Sequence, residues 1–154
     1  MIISIFGKTG TGKTTLSRNI AKILQEKTGN RIKEYSPFET IKYEKLLQIE
    51  TNDIVIINEV QIFKIFVPKN DFLSVITGHR HFNINMIVNT QRPALLRDRT
   101  IPALSDAIFI GRITDESDLE YIKFFHSDIE SIRNMQNFEF LEILSQKKFY
   151  LTKE

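Results

Sequence analysis

The sequence predicts an α/β fold, with a mostly parallel central sheet flanked by helices and a β-hairpin at the C-terminal end. Three observations carry that expectation. Short apolar runs at Ile2–Phe6, Asp53–Ile57, Ile84–Asn89 and Asp106–Ile110 have the length of strands buried on both faces. Helical or loop stretches separate them, as the crossovers between parallel strands require. A glycine-rich turn, "GKTGTGKTTL" at residues 7–16, follows the first run without a break.

A chain of 154 residues has a one-domain length. No repeat, low-complexity tract or Gly/Ser/Pro-rich linker divides it, so residues 1–154 are expected to form a single domain. At 42% hydrophobic and 26% charged residues, the composition is that of an ordinary globular protein. The chain has no cysteine, which excludes disulfides, zinc–thiolate sites and thiol catalysis. No apolar run approaches the roughly 20 residues that span a bilayer, so no membrane span is expected. Met1–Phe6 lacks the basic leader of a signal peptide, and a cytoplasmic protein is expected. The net charge of +2 is too small to argue for nucleic-acid binding, so any such case rests on where the charges lie.

The elements follow in order. Ile2–Phe6 feeds the glycine turn, and a helix is expected from about Lys13 to Lys27, capped by Gly29. Leu16, Ile20, Ile23 and Leu24 are expected on its buried face. Arg31–Tyr35 has the character of a second strand. Ser36-Pro37-Phe38-Glu39 has the form of a capping box opening a helix. Thr114, followed by Asp115 and Glu116, is expected to open another, with its acids at the positive end of the helix dipole. "FEFLEIL" and "KKFYLTKE" make the terminal hairpin. Ligands of such sheets bind at the carboxyl ends of the strands. That rule brings Gly7–Thr14, Asn58–Glu59 and Gln91–Arg92 to one edge.

Gly7, Lys8, Thr9, Gly10, Thr11, Gly12, Lys13 and Thr14 match the phosphate-binding pattern G-x-x-x-x-G-K-[ST] at every position, with Thr15 next. Glycines let the backbone N–H groups converge on a phosphate, and the helix N-terminus adds its partial positive charge. Lys13 is expected to reach the β- and γ-phosphates, and the Thr14 hydroxyl to ligate Mg²⁺. "DIVIINEV" places Asn58 and Glu59 directly after an apolar strand, where such ATP-binding sites carry an acid that supports Mg²⁺ and a second that polarises water. Here the first acid is an amide. Asn58 accepts through its carbonyl oxygen but adds no negative charge, so weaker Mg²⁺ binding or a larger share for Glu59 is expected. Asp53 lies at the other end of the strand. Gln91, at the end of "NINMIVNTQRP", is expected between the γ-phosphate and Glu59, where an uncharged group can sense departure of the phosphate.

These segments, Gly7–Thr15, Ile54–Glu59, "GHRHFNINMIVNTQRP" and "LSDAIFIGRI", resemble the HerA–FtsK superfamily of motor ATPases over about residues 1–113. The resemblance implies a P-loop NTPase fold of the RecA/FtsK-like kind and ATP hydrolysis with Mg²⁺. It also implies a ring, usually hexameric, that moves double-stranded DNA without reading its sequence. In it Glu59 is the water-activating acid and Gln91 the sensor. Arg80 best matches the finger offered to a neighbouring site, with Arg92, Arg97 and Arg99 in reserve. The short chain fits the genome-packaging ATPases of viruses better than cellular translocases, which implies a viral procapsid as partner and host cytoplasm as location. Asn58 departs from the family's Asp.

Four arginines against Asp98 between His79 and Arg99, and six acids against Lys123 between Thr114 and Glu130, suggest one basic and one acidic face. "FKIFVPKND" interleaves Phe63, Phe66 and Phe72 with Lys64 and Lys69, as a loop directed at a nucleic-acid phosphate backbone would. Two other readings stay open. A small-molecule kinase, acting on nucleosides or nucleotides, would use "RPALLRDR" as an arginine-bearing lid. A slow ATP-dependent assembly switch would use Asn58 to limit turnover.

Overall fold

The computed structural model describes residues 1–36, 49–66, 69–97 and 99–152, the side chains of 64–66 and 69–72 excepted. Its centre is β1 (Ile2–Phe6), whose side chains are all buried because helices cover both faces of the strand. The described strands β2 (Ile32–Tyr35), β3 (Ile54–Ile57), β4 (Asn85–Thr90), β5 (Ala107–Ile110), β6 (Glu139–Glu142) and β7 (Lys147–Tyr150) join it in one sheet. The order is β2-β3-β4-β1-β5-β6-β7. β1 runs parallel to β4 and β5, and β2, β3 and β4 run parallel to one another. The terminal hairpin β6–β7 adds to β5 antiparallel. The expected fold class is therefore the observed one.

Strand alternation divides the core in two. Ile3, Ile5, Ile54, Ile56 and Ile87 face α1 (Lys13–Thr28). Ile2, Phe6, Val55, Ile57, Met86 and Val88 face the other helices: α2 (Val60–Phe66), α3 (Lys69–Gly78), α4 (Thr100–Leu104), α5 (Glu116–Ile122) and α6 (Ile129–Arg133). Each wholly buried isoleucine contributes about 1.5–3 kcal/mol relative to an exposed one. Helix α1 ends as expected at Gly29, whose left-handed backbone (φ 71°) lets its N–H bond to the Gln25 carbonyl at 2.7 Å.

Some local expectations give way. Ile23 is 51% exposed, because the buried stripe of α1 runs through Lys13, Leu16, Ser17 and Ala21. Leu24 packs beside that stripe, and Ile23 lies about 100° round the helix from Leu24. Asp115, not Thr114, caps α5, accepting from the N–H groups of Ser117 and Asp118. The "FKIF" segment is helical rather than a projecting loop, since Val60 and Phe63 are drawn into the core. The capping box at Pro37–Glu39, Asp98, and the side chains of Lys64, Phe66, Lys69 and Phe72 lie outside the described residues. No helix among the described residues is long and apolar enough to cross a membrane.

Candidate functional site

Three strand ends meet at one edge of the sheet, because β1, β3 and β4 are parallel and in register there. Thr90 pairs with Phe6, and Ile57 with Val88. The glycine loop leaves β1 and turns back into α1. Gly10 and Gly12 take φ values of 81° and 92°, which side chains with a Cβ avoid. Gly12 is constrained twice, since a Cβ there would lie 2.6 Å from Cδ1 of Phe138. Thr11 is buried and braces the loop, its hydroxyl donating to the Lys8 carbonyl at 2.9 Å. Gly7 N–H donates to Thr90 O at 3.2 Å, and Lys8 N–H to Arg112 O at 2.9 Å.

Lys13 is buried at the start of α1, and its Nζ donates to the Lys8 carbonyl at 3.1 Å. Burial pushes its ammonium below the ordinary lysine range, while the nearby Glu59 carboxylate opposes the shift. A buried ammonium whose hydrogen-bond partner is a neutral carbonyl is electrostatically set for an anion.

Across the cleft, Glu59 sits in left-handed backbone at φ 52°, a conformation that costs a non-glycine residue about 1–3 kcal/mol. Its Oε2 accepts from Gln61 Nε2 at 2.7 Å and from the Gln91 N–H at 3.2 Å. Gln61 also accepts from the Thr90 hydroxyl. The side-chain oxygen of Gln91 accepts from the Thr9 hydroxyl at 2.5 Å. Gln91 thus stands between the glycine loop and Glu59, and links them. Asn58 donates through Nδ2 to Glu34 at 2.7 Å and accepts through Oδ1 from Asn89 at 2.6 Å.

Together these groups line an open cleft of about 320 Å³, with Thr9, Gly10, Gly12, Lys13, Thr14 and Thr15 on one side. Asn58, Glu59, Asn89 and Gln91 line the other, and Phe138 adds to the wall beside Gly12. Among the described residues no group of three His, Asp or Glu side chains gathers as a metal cage. The cleft offers hydroxyl and amide oxygens and one carboxylate instead. Asn89 Oδ1 is buried there with no hydrogen-bond partner among the described residues.

The arginines divide. Arg80 is well exposed and lies at the opposite edge of the sheet, 3.9 Å from Asp106 at the start of β5. It is remote from the cleft of its own chain. Arg92 turns from the cleft to Asp118 at 2.7 Å and Asp115 at 3.2 Å. Arg99 lies over the Phe124 ring. Arg97 is exposed. The basic and acidic segments therefore meet through Arg92 and Arg99, and Arg133 pairs with Glu116 at 2.7 Å. Within the "RPALLRDR" stretch, Pro93–Leu96 form a 3-10 turn with Pro93 and Leu96 buried.

Sequence reasoning missed Asn89, Gln61, Phe138 and Glu34. Asn89 carried a legible signal, an amide two residues before Gln91 that directly follows the apolar run Met86–Val88. Phe138 carried none, since only the tertiary fold brings its N–H to the Thr11 carbonyl at 3.0 Å.

No family model and no curated protein matches this sequence. The fold does match solved structures. The genome packaging NTPase B204 of Sulfolobus turreted icosahedral virus 2, in complex with ATP-gammaS, superposes with a TM-score of 0.65 at 16% identity, over 96% of this chain and 95% of that one. The DNA-packaging ATPase B204 of Sulfolobus turreted icosahedral virus gives 0.64 at 15% identity, over 99% and 98%. The Thermotoga maritima RuvB Holliday junction branch migration motor gives 0.53 at 21% identity, over 83% of this chain and 43% of that one. At these identities the shared property is the P-loop NTPase fold.

Proposed function

We propose that residues 1–154 form one ATP-hydrolysing motor domain of the HerA–FtsK type, working as a ring in viral genome packaging. The observation that carries this reading is the buried Lys13 ammonium, which faces Glu59 and Gln91 across a glycine loop. The near full-length likeness to packaging NTPases supports the choice of motor.

In this reading the loop N–H groups and Lys13 bind the β- and γ-phosphates. The cleft's oxygens fit Mg²⁺, a hard cation that keeps several waters and takes one or two carboxylates, and Asn89 Oδ1 is an acceptor without a partner among the described residues. Thr14, Asn58 and Glu59 would hold the ion, which supplies neutralisation of phosphate charge. Glu59 takes the proton of the attacking water as that water's oxygen bonds to the γ-phosphorus. The bond from that phosphorus to the β–γ bridging oxygen breaks, and its electrons leave with ADP. Gln91 senses the γ-phosphate, because its hydrogen bonds to Thr9 and Glu59 can rearrange when the phosphate leaves. Arg80 acts in a neighbouring subunit, since it is remote from its own cleft. A hexamer on double-stranded DNA, docked on a procapsid in the host cytoplasm, completes the reading.

The test is steady-state ATP hydrolysis at fixed Mg²⁺ across protein concentrations, with and without double-stranded DNA. Turnover per subunit should rise with concentration and again with DNA. Turnover indifferent to both overturns the motor in favour of a monomeric kinase. Asn58, which adds no charge at the metal, favours a slow switch as second reading, and tight ATP binding without turnover would establish it.

A further inference from the structure

The missing acid at position 58 has a counterpart on the neighbouring strand. Glu34 pairs in register with Ile56, so Glu34, Ile56 and Asn58 project from the same face of the sheet, the face covered by α1. Ile87 and Asn89 share that face on β4. One polar chain results, running across the sheet beneath the start of α1. Arg18 holds Glu34 with two hydrogen bonds, at 2.9 and 3.0 Å. Glu34 accepts from Asn58 at 2.7 Å, and Asn58 accepts from Asn89 at 2.6 Å. Asn89 also donates to Ser17 at 3.1 Å, and Ser17 to the Thr14 carbonyl at 2.9 Å.

An ionised carboxylate only accepts hydrogen bonds, whereas an amide has a donor end and an acceptor end. Glu34 therefore takes the Nδ2 end of Asn58 and leaves Oδ1 toward Asn89 and the cleft. Asn89 spends its Nδ2 on Asn58 and Ser17, and its Oδ1 stays buried without a partner among the described residues. The sense of every amide in the chain follows from the one carboxylate at its edge. An Asp at position 58 would instead set two carboxylates at hydrogen-bond distance, where like charges disfavour joint ionisation.

We propose that Glu34 is a positioning residue of the metal–nucleotide site: as the acceptor-only group at the edge of the polar chain, held there by Arg18, it orients the Asn58 and Asn89 amides toward the bound ion. The inference rests on the ATP reading above and adds to it a matched pair, acid on β2 with amide on β3.

The experiment exchanges the pair in the full chain, comparing wild type, Glu34→Gln, Asn58→Asp and the double variant. Each is titrated with a fluorescent N-methylanthraniloyl ATP, once in Mg²⁺ and once in EDTA, and melted without ligand. Glu34→Gln keeps the shape but replaces the acceptor-only edge with an amide that can also donate, so it should weaken binding in Mg²⁺ about tenfold and leave binding in EDTA unchanged, within the range seen when outer partners of metal ligands are removed. Asn58→Asp alone should lower the melting temperature. The double variant should recover both the melting temperature and most of the Mg²⁺-dependent affinity. Equal Mg²⁺ dependence in all four proteins, or a double variant that merely adds the two losses, overturns the proposal while the ATP reading stands. No nucleotide binding by the wild type overturns the ATP reading and this proposal together.

Discussion

The two ends of β3 hold polar groups in opposite states. At its start, the buried Asp53 is satisfied from several sides: Lys33 lies at 3.0 Å, Arg31 at 3.1 Å, and the Glu50 N–H donates at 2.8 Å. At its end, Glu59 is held in left-handed backbone, Lys13 bonds a neutral carbonyl, and Asn89 Oδ1 has no partner among the described residues. Asp53, Lys13 and Asn89 are all buried, so burial alone does not separate the two ends. Completion does. A charge whose partners are all within the chain stabilises the fold, whereas strained and incomplete groups persist where the fold over-determines them and a ligand completes them.

The comparison can be broken most severely at Glu59. Glu59→Gln should slow ATP hydrolysis about 10²–10⁴-fold, the range for removing a general base, while nucleotide still binds. Single-turnover rates beside equilibrium titration check this, and full activity would place the catalytic acid elsewhere. Gly12→Ala should act on the same end through the backbone. The new Cβ meets both a positive φ and the Phe138 ring, so loss of nucleotide binding and about 2 kcal/mol of stability is expected, read by titration and urea unfolding.

At the other end the expectation reverses. Asp53→Asn should cost about 1.5–3 kcal/mol of stability, the worth of hydrogen bonds to a charged group, and leave nucleotide affinity unchanged. Urea unfolding measures the first and titration the second, and a matching loss of affinity would break the contrast.

The smallest effect sharpens the same point through pH. Burial would raise the Asp53 carboxyl, but the Glu50 N–H, Lys33 and Arg31 outweigh it and hold the group below its ordinary value. The unfolded chain then takes up the proton first as pH falls. The stability from Asp53 is complete above the unfolded value of about 3.9 and is lost as pH drops through the folded one. Melting temperature should fall below about pH 4, and less steeply in Asp53→Asn. An unchanged slope would mean that other carboxylates, such as Glu139, carry the acid sensitivity, since its carboxyl is also held low, against burial, by the Gln136 N–H and Lys148.

What the sequence by itself determined is what local chemistry dictates. Apolar runs of strand length, the glycine spacing before Lys13 and Thr14, and polar residues directly after β3 and β4 each need only neighbouring residues for their meaning. Those patterns sufficed for the fold class, for the edge where the cleft lies, and for Lys13, Glu59 and Gln91 within it. The tertiary structure alone decided the partners. Strand order put β3 beside β2, which made Glu34 the neighbour of Asn58, and put the loop before β6 against Gly12, which made Phe138 a wall of the cleft. The acids of α5 took Arg92 away from it. These contacts join residues dozens of positions apart, and a hydrogen bond's energy depends on geometry and desolvation that no local pattern encodes.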